Sequence, residues 1–266
     1  MAGGSQKPIE LRLDGRRVLV TAGAGGAGLI ISHTLADLGA SVMACDIAAS
    51  RIAALNAQRP DILTFVGDLS DEQTVDRVFA EAERQLGGID VLVNNLGIAG
   101  PTAAVEAISV ADWNQTLAAN ISSHFLCVRR AVPGMKSRRD GMIVNISSGS
   151  ARTGLPLRLP YVVSKVAVLG MTSNLARELG PFGIRVNAIL PGAIRGERLQ
   201  QVIDTKARAL GKSPQEYEKT LLRYVSLRCM VEPEDIAAMV AFLASRAGRH
   251  ISGQHIGVDG NVEYEE

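Results

Sequence analysis

Short apolar runs recur along the whole chain, and glycine, asparagine or aspartate bounds them. The runs lie at Arg17–Thr21, Ser41–Cys45, Leu63–Val66, Val91–Asn94, Met142–Ile146, Arg185–Leu190 and Ile256–Asp259. Runs of this length predict β-strands, and their nearly uninterrupted apolar character predicts strands that are covered on both faces.

The longer segments between these runs carry apolar residues at helical spacing. They lie at Gly26–Leu38, Asp71–Leu86, Ala111–Val132, Tyr161–Leu179 and Glu234–Ala244. Such alternation of strand and helix predicts an α/β protein with a doubly wound parallel sheet of about seven strands and helices on both faces. The length of 266 residues suits a single domain over 1–266.

Residues 193–228 break the alternation, because they are charged and helix-prone and contain no strand pattern. Long insertions after a strand often form lids or substrate loops. A surface helical hairpin explains the same composition equally well, so both interpretations stay open for this insertion.

Charge and cysteine content narrow the class of protein. A net charge of +1 lacks the basic excess that nucleic acids and membrane surfaces require. The cysteines Cys45, Cys127 and Cys229 are too far apart to predict a disulfide framework or a metal site. Because we see neither a signal peptide at Met1–Pro8 nor an apolar run of about 20 residues, we expect a cytoplasmic protein acting on a small molecule.

The first predicted strand runs into a turn with four glycines, and a helix follows. These glycines are Gly23, Gly25, Gly26 and Gly28. They allow the backbone to turn tightly and approach a pyrophosphate, while the helix N-terminus offers free N–H groups and a positive dipole end. The placement between strand and helix indicates dinucleotide binding.

Asp46 ends the second predicted strand, where an acid can accept hydrogen bonds from the adenosine ribose hydroxyls. Its charge would repel a 2′-phosphate, and the glycine turn itself contains no arginine or lysine. These features favour NAD over NADP. Asp46 could also cap the helix that begins soon after it, and the two roles are compatible.

Tyr161 and Lys165 are four residues apart at the start of a predicted helix, so both project from one face. An ammonium group beside a phenol favours the phenolate, which is a sensible way to build a general acid and base. The spacing alone is common and carries little weight.

Several further motifs occur in order and at suitable separations. They are Asn94-Asn95-Leu96-Gly97, Asn120, Asn145-Ile146-Ser147-Ser148, Tyr161-Val162-Val163-Ser164-Lys165 and Pro191-Gly192. With the glycine turn, they make the chain resemble the short-chain dehydrogenase/reductases from Leu11 to Val262. The resemblance implies a Rossmann-type fold, an oxidoreductase activity and, as is common in that family, a homotetramer.

The resemblance also implies a role for each matched residue. Tyr161 would give and take the proton, Lys165 would hold the nicotinamide ribose, and Ser148 would hydrogen-bond the reacting oxygen, with Ser147 as the alternative serine. Asn120 would position a water beside Lys165. The residues expected to contact the dinucleotide are Gly23, Gly25, Gly26, Gly28, Asp46, Asp68, Leu69, Asn95, Gly97, Tyr161, Lys165, Pro191 and Ile194.

Three positions depart from the family pattern. Ala22 stands where the first glycine is usual, and we expect Gly23 to relieve the turn. Leu96 replaces the usual alanine and could reshape the cofactor floor, and Gly196 replaces a threonine that often meets the carboxamide.

The sequence indicates the class of substrate less clearly than it indicates the reaction. Arg152 and Arg158 flank the serine–tyrosine stretch and Arg195 begins the insertion, so an anionic substrate such as a sugar acid or other hydroxy acid is one hypothesis. Surface arginines are the alternative. His124 and His255 are expected to serve packing rather than catalysis.

The reaction indicated is NAD-dependent hydride transfer between nicotinamide and a secondary alcohol or ketone. The NAD preference suggests oxidation as the direction in the cell. Two other functions stay open: an NADPH-dependent 3-oxoacyl reductase, which Asp46 disfavours, and a dinucleotide-binding sensor without turnover, which the presence of all four catalytic positions disfavours.

Overall fold

The computed structural model describes residues 11–262, apart from the side chains of Arg198, Lys206 and Ala209. Seven parallel strands form one sheet in the order β3-β2-β1-β4-β5-β6-β7. The strands are β1 (Arg17–Thr21), β2 (Ser41–Asp46), β3 (Leu63–Val66), β4 (Val91–Asn94), β5 (Gly141–Ile146), β6 (Ile184–Pro191) and β7 (His255–Val258). All seven predicted strands are confirmed, each within one residue of its predicted limits.

Ten α-helices surround the sheet in the described part of the chain. They are α1 (Gly26–Asp37), α2 (Ala49–Gln58), α3 (Glu72–Leu86), α4 (Val110–Leu117), α5 (Ser123–Arg138), α6 (Ser150–Thr153), α7 (Leu159–Leu179), α8 (Glu197–Ala209), α9 (Pro214–Leu222) and α10 (Pro233–Ala244). No helix within residues 11–262 combines the length and the apolarity needed to cross a membrane.

The two faces of the sheet are buried in separate apolar clusters. Val18 and Val20 of β1 pack on the side of α1 and α10, while the intervening Leu19 packs on the side of α3 and α5. This alternation follows from the two-residue period of a strand. It confirms the predicted doubly covered sheet.

The order of the strands reverses direction beside β1, which pairs with β2 on one side and β4 on the other. In open parallel sheets, ligands bind outside the carboxyl ends of the strands at such a switch point. The glycine turn, Asp46 and the Asn94–Gly97 segment all follow the carboxyl ends of these three strands. The topology therefore brings the predicted dinucleotide site together.

The predicted helix Ala111–Val132 is not one continuous α-helix in the structure. A π-helical turn at Ala118–Ser122 separates α4 from α5, and α5 continues to Arg138 with Pro133 inside it. Such turns hold one extra residue and often occur at functional sites. This one contains the buried Asn120.

Candidate active site

The glycine turn packs closely against the neighbouring strand end. A Cβ atom on Gly28 would lie 2.1 Å from the Ala22 carbonyl oxygen, and one on Gly23 would lie 2.8 Å from the Val20 carbonyl oxygen. Neither position has space for a larger side chain. Ala22 itself adopts a left-handed φ of 49°, so the expectation that Gly23 would relieve the turn is wrong.

The end of β4 braces this turn. The Asn95 side chain donates through Nδ2 to the carbonyl oxygens of Thr21 and Ala22, both at 3.1 Å. The Thr21 hydroxyl in turn accepts hydrogen bonds at 2.9 Å from the backbone N–H groups of Asn95 and Leu96. Asn95 thus supports the shape of the turn, in addition to the ribose contact that the sequence predicts.

Asp46 is buried at the carboxyl end of β2. Its Oδ1 accepts a hydrogen bond from the Ala48 N–H at 2.9 Å, just before α2 begins. Its Oδ2 is buried and has no partner among the described residues. Because a buried carboxylate oxygen without a donor is costly, this atom suits a ligand that brings hydroxyl groups. Asp46 is therefore not the N-cap of α2, which is Ala48, and its contact with the adenosine ribose stays a prediction.

Arg51 of α2 is a site residue that the sequence analysis missed. A Cβ on Gly25 would lie 2.9 Å from the Arg51 Nη1, so the guanidinium covers the glycine turn. The turn contains no basic residue of its own, but the fold places one over it. No local signal in the sequence shows which way the Arg51 side chain points.

The other predicted cofactor residues also lie at the carboxyl edge. Asp68 and Leu69 follow β3, where the Asp68 Oδ1 accepts from the Ser70 N–H at 2.9 Å and Leu69 is buried. Pro191 ends β6, and Ile194 pairs with Val231 in an isolated bridge.

Tyr161 and Lys165 stand on the first turns of α7, as predicted. The Lys165 Nζ is buried, donates to the Ile146 carbonyl oxygen at 2.9 Å and lies 5.9 Å from the centre of the Tyr161 ring. A Cβ on Gly97 would lie 3.0 Å from this Nζ, so Gly97 leaves the space that the lysine occupies. The ammonium group is therefore held close to the phenol by the backbone around it.

Asn120 connects the π turn to the same lysine region. Its Oδ1 accepts from the Ile98 N–H at 2.7 Å, and its Nδ2 donates to the Ile98 carbonyl at 3.0 Å and to the Ser164 Oγ at 2.9 Å. These contacts fix the amide beside α7. Its role in holding a water stays a prediction.

The two candidate serines differ in their surroundings. Ser147 is buried and donates through Oγ to the Lys165 carbonyl oxygen at 2.8 Å, which makes it a packing contact. The Ser148 Oγ accepts from the Ser150 Oγ at 3.0 Å and lines a cavity of about 350 Å³ at the carboxyl end of the sheet. The geometry favours Ser148 for the reacting oxygen, as the family spacing does.

The structure separates the three predicted substrate arginines. Arg152 donates to the His255 carbonyl oxygen at 2.6 Å, and Arg195 pairs with Glu232 at 2.8 Å and lies 3.8 Å from Glu218. Arg158 donates to the Ala99 carbonyl oxygen at 2.7 Å, and its Cζ lies 5.3 Å from the centre of the Tyr161 ring. Of the three, only Arg158 is shown in contact with a predicted catalytic residue.

Other titratable groups near the site are inert. Burial, and then the charge of Lys165, lower the pKa of His124 to about 3, so this imidazole is neutral, with its Nε2 3.0 Å from the Leu96 carbonyl oxygen. Burial raises the pKa of Cys45 to about 12. Within residues 11–262, no cluster of three His, Cys, Asp or Glu residues could hold a metal ion.

Comparisons with known proteins agree with this geometry. A family model described as enoyl-(acyl carrier protein) reductase matches residues 22–262. The chain is 32% identical to the 3-oxoacyl-(acyl-carrier-protein) reductase FabG of Thermotoga maritima, covering 95% of this chain and 99% of that protein. It is 35% identical to a probable short-chain type dehydrogenase/reductase of Bradyrhizobium diazoefficiens, covering 94% and 88% respectively.

A solved structure is also similar to this chain over nearly its whole length. The crystal structure of an NAD+-bound xylitol dehydrogenase superposes with a TM-score of 0.86 at 26% identity, covering 93% of this chain and 99% of that one. The similarity thus extends over nearly the whole sheet and the helices around it.

Proposed function

Because the chain belongs to the short-chain dehydrogenase/reductase family, we propose that it is an NAD-dependent oxidoreductase that interconverts a secondary alcohol and a ketone. One observation carries the proposal. The Lys165 Nζ lies 5.9 Å from the centre of the Tyr161 ring, while Ser148 lines a cavity at the same edge of the sheet. This arrangement suits proton transfer at one oxygen atom of a small substrate.

The residues at the switch point fit a nicotinamide dinucleotide. The glycine turn leads into the N-terminus of α1, where free N–H groups suit a pyrophosphate, and the buried Asp46 Oδ2 has no hydrogen-bond donor among the described residues. When bound, the dinucleotide supplies the hydride acceptor or donor. Asp68, Leu69, Gly97, Pro191 and Ile194 would line it further along the sheet edge.

The proton chemistry belongs to the protein. In alcohol oxidation, the Tyr161 phenolate takes the hydroxyl proton while the carbinol carbon gives up its hydride, and the reverse occurs in ketone reduction. Lys165 stabilises the phenolate through its charge. Ser148 holds the substrate oxygen by a hydrogen bond. Asn120 hydrogen-bonds the Ile98 backbone and the Ser164 side chain of α7, and so holds α7, which carries Tyr161 and Lys165, in place.

Cofactor preference depends on two opposing side chains. The Asp46 carboxylate favours NAD, whereas the guanidinium of Arg51 over Gly25 could accompany a 2′-phosphate. Arg51 and the FabG relative therefore support a second candidate, the NADPH-dependent 3-oxoacyl reductase. We favour NAD because Asp46 is the buried group and its free oxygen needs a donor.

We expect Asp46→Ala to lower kcat/KM for NAD by about 10- to 100-fold, because a hydrogen bond to a charged group contributes about 1.5–3 kcal/mol. The same change should raise kcat/KM for NADP by removing the repulsion. Both constants are measured by steady-state kinetics with one alcohol. The double variant Asp46→Ala/Arg51→Ala should lose the gain with NADP. Equal use of both cofactors by the wild-type protein would contradict the proposed preference.

A direct test of the activity is NADH formation from NAD with a panel of secondary alcohols, together with ketone reduction by NADH. Turnover of any member confirms the reaction class. Binding of NADH, detected by a thermal shift, without turnover of any alcohol or ketone would support the sensor function instead.

We also propose that the chain forms a homotetramer through α5 and α7. Phe125 of α5 is 53% exposed, and Val163 and Val166 of α7 are also exposed. Large apolar side chains on neighbouring outer helices often mark an interface. We expect sedimentation analysis to show a tetramer and Phe125→Glu to yield smaller species. A wild-type monomer at micromolar concentration would contradict the proposal.

A further inference from the structure

The cavity beside Ser148 has an uncharged wall. The residues that line it come from the ends of β5 and β6, from α6 and from α9, and among these described residues there is no Asp, Glu, Lys, Arg or His. Resting on the proposed function, we infer that this site selects a compact, neutral ketone or alcohol with an apolar skeleton, and that α9 provides the selecting wall.

The face that α9 presents to the cavity combines apolar surface with hydroxyl groups. Tyr217, Thr220 and Leu221 line it, and their spacing of three and four residues places them on one side of the helix. Tyr224 follows just after the helix and also lines the cavity. Tyrosine rings supply apolar contact, and their hydroxyls can reach a neutral oxygen of a ligand.

The start of α9 is held by a capping box. The Ser213 Oγ accepts from the Glu216 N–H at 3.2 Å, and the Glu216 carboxylate accepts from the Ser213 N–H at 2.8 Å. This pair fixes the first turn of the helix next to Tyr217. The insertion at 193–228 is therefore an ordered helical pair whose second helix faces the substrate cavity, which favours the substrate-loop interpretation.

None of the three predicted substrate arginines is among the residues that line this cavity, although Arg158 lies near Tyr161. Arg195 is paired with the Glu232 carboxylate at 2.8 Å, which offsets its positive charge. Arg152 lines an adjoining cavity of about 1000 Å³ beside β7, which shares Gly149, Thr153 and Val262 with the cavity at Ser148, and its guanidinium donates to the His255 carbonyl oxygen at 2.6 Å. A carboxylate in contact with the wall that α9 forms would lose hydration without gaining an ionic partner from that wall.

The size of the cavity restricts the substrate as well. Its volume of about 350 Å³ lies at the lower end of the range of about 300–1,000 Å³ that is usual for ligand pockets. A single ring or a short branched chain fills a space of this size.

The test compares two ketones with the same ring: methyl 3-oxocyclohexanecarboxylate, which is neutral, and 3-oxocyclohexanecarboxylate, which is anionic. We expect kcat/KM with NADH to be about 100-fold higher for the ester, since an unpaired buried charge costs several kcal/mol. Equal or higher kcat/KM for the acid would overturn the inference. In that case Arg158, which lies near Tyr161, is the arginine to substitute first.

Two matched variants place a positive charge either on the cavity wall or on the surface outside the cavity. Leu221→Arg should lower kcat/KM for the ester and raise it for the acid, while Leu210→Arg, on an exposed residue outside the cavity, should change neither. Thermal unfolding confirms that both variants are folded. If Leu221→Arg left the ratio of kcat/KM for the ester to kcat/KM for the acid unchanged, α9 would not be the selecting wall.

A measurement of ketone binding distinguishes failure of this inference from failure of the proposed function. Each ketone is added to the protein with NADH, and the shift in unfolding temperature is recorded. Binding of the ester alone, without turnover, would contradict the oxidoreductase function but confirm the ligand class. Binding of the acid as tightly as the ester, or of neither ketone, would overturn the inference.

Discussion

Tyr161→Phe should lower kcat for ketone reduction by about 10²- to 10⁴-fold, the range that a positioned general acid contributes. Phenylalanine keeps the ring that packs near Arg158 and Lys165 but has no proton to give. The substrate oxygen would then depend on Ser148 and on solvent. The measurement is steady-state kinetics with saturating NADH and the most active ketone.

The control for this variant is cofactor binding. NADH titration and thermal unfolding should match the wild-type protein, because the hydroxyl of Tyr161 forms no hydrogen bond with any residue in the range 11–262. A variant that keeps most of its kcat would show that another group carries the proton. A variant that loses NADH binding would instead assign Tyr161 mainly to the cofactor site.

Gly28→Ala should have the largest effect on the fold of the site. The added Cβ would lie 2.1 Å from the Ala22 carbonyl oxygen and 2.6 Å from the Asn95 Nδ2, and the first of these is a backbone atom. The first turn of α1 must therefore move away from β1 and β4. Overpacking of this kind typically costs about 1–3 kcal/mol. We expect a lower midpoint in urea unfolding and the loss of detectable NADH binding.

A matched glycine elsewhere tests whether the effect is local. Gly180 follows α7 with a φ of −51°, and a Cβ there would meet no atom within 4 Å. Gly180→Ala should leave NADH binding unchanged and stability unchanged or slightly higher, by at most about 1 kcal/mol. If Gly28→Ala behaved like Gly180→Ala, the close packing of the glycine turn would not be essential.

The strands could be predicted from sequence because each is a short apolar run, and the five inner strands are almost wholly buried, whereas the edge strands β3 and β7 are partly exposed. Burial on both faces of a parallel sheet excludes polar residues, and glycine or a short polar residue ends each run where the chain leaves the sheet. Leu19 and Val20 of β1 illustrate this, because they face opposite clusters and are both fully buried. At these positions, the apolar run along the sequence therefore predicts the buried environment in the fold.

The candidate site could be predicted only where its residues belong to local motifs. Tyr161 and Lys165 are one helical turn apart, and Asp46 directly ends a strand. The position of Arg51 over Gly25 and the pairing of Arg195 with Glu232 depend on how separate elements pack. Long side chains reach several ångströms from their own backbone, so spacing along the chain does not fix their partners.

The π turn at Ala118–Ser122 has a consequence for tolerance to changes in chain length. An α-helix advances by about 100° per residue, and a π turn holds one residue more than an α turn. Deleting one residue here would convert the π turn into an ordinary α turn, so α5 would keep its rotation relative to α4. Cys127 and Val128 would stay buried, and Arg130 would stay exposed. The same deletion inside α5 would rotate the residues that follow it by about 100°, so the π turn should tolerate the loss of one residue better than the α-helical parts on either side.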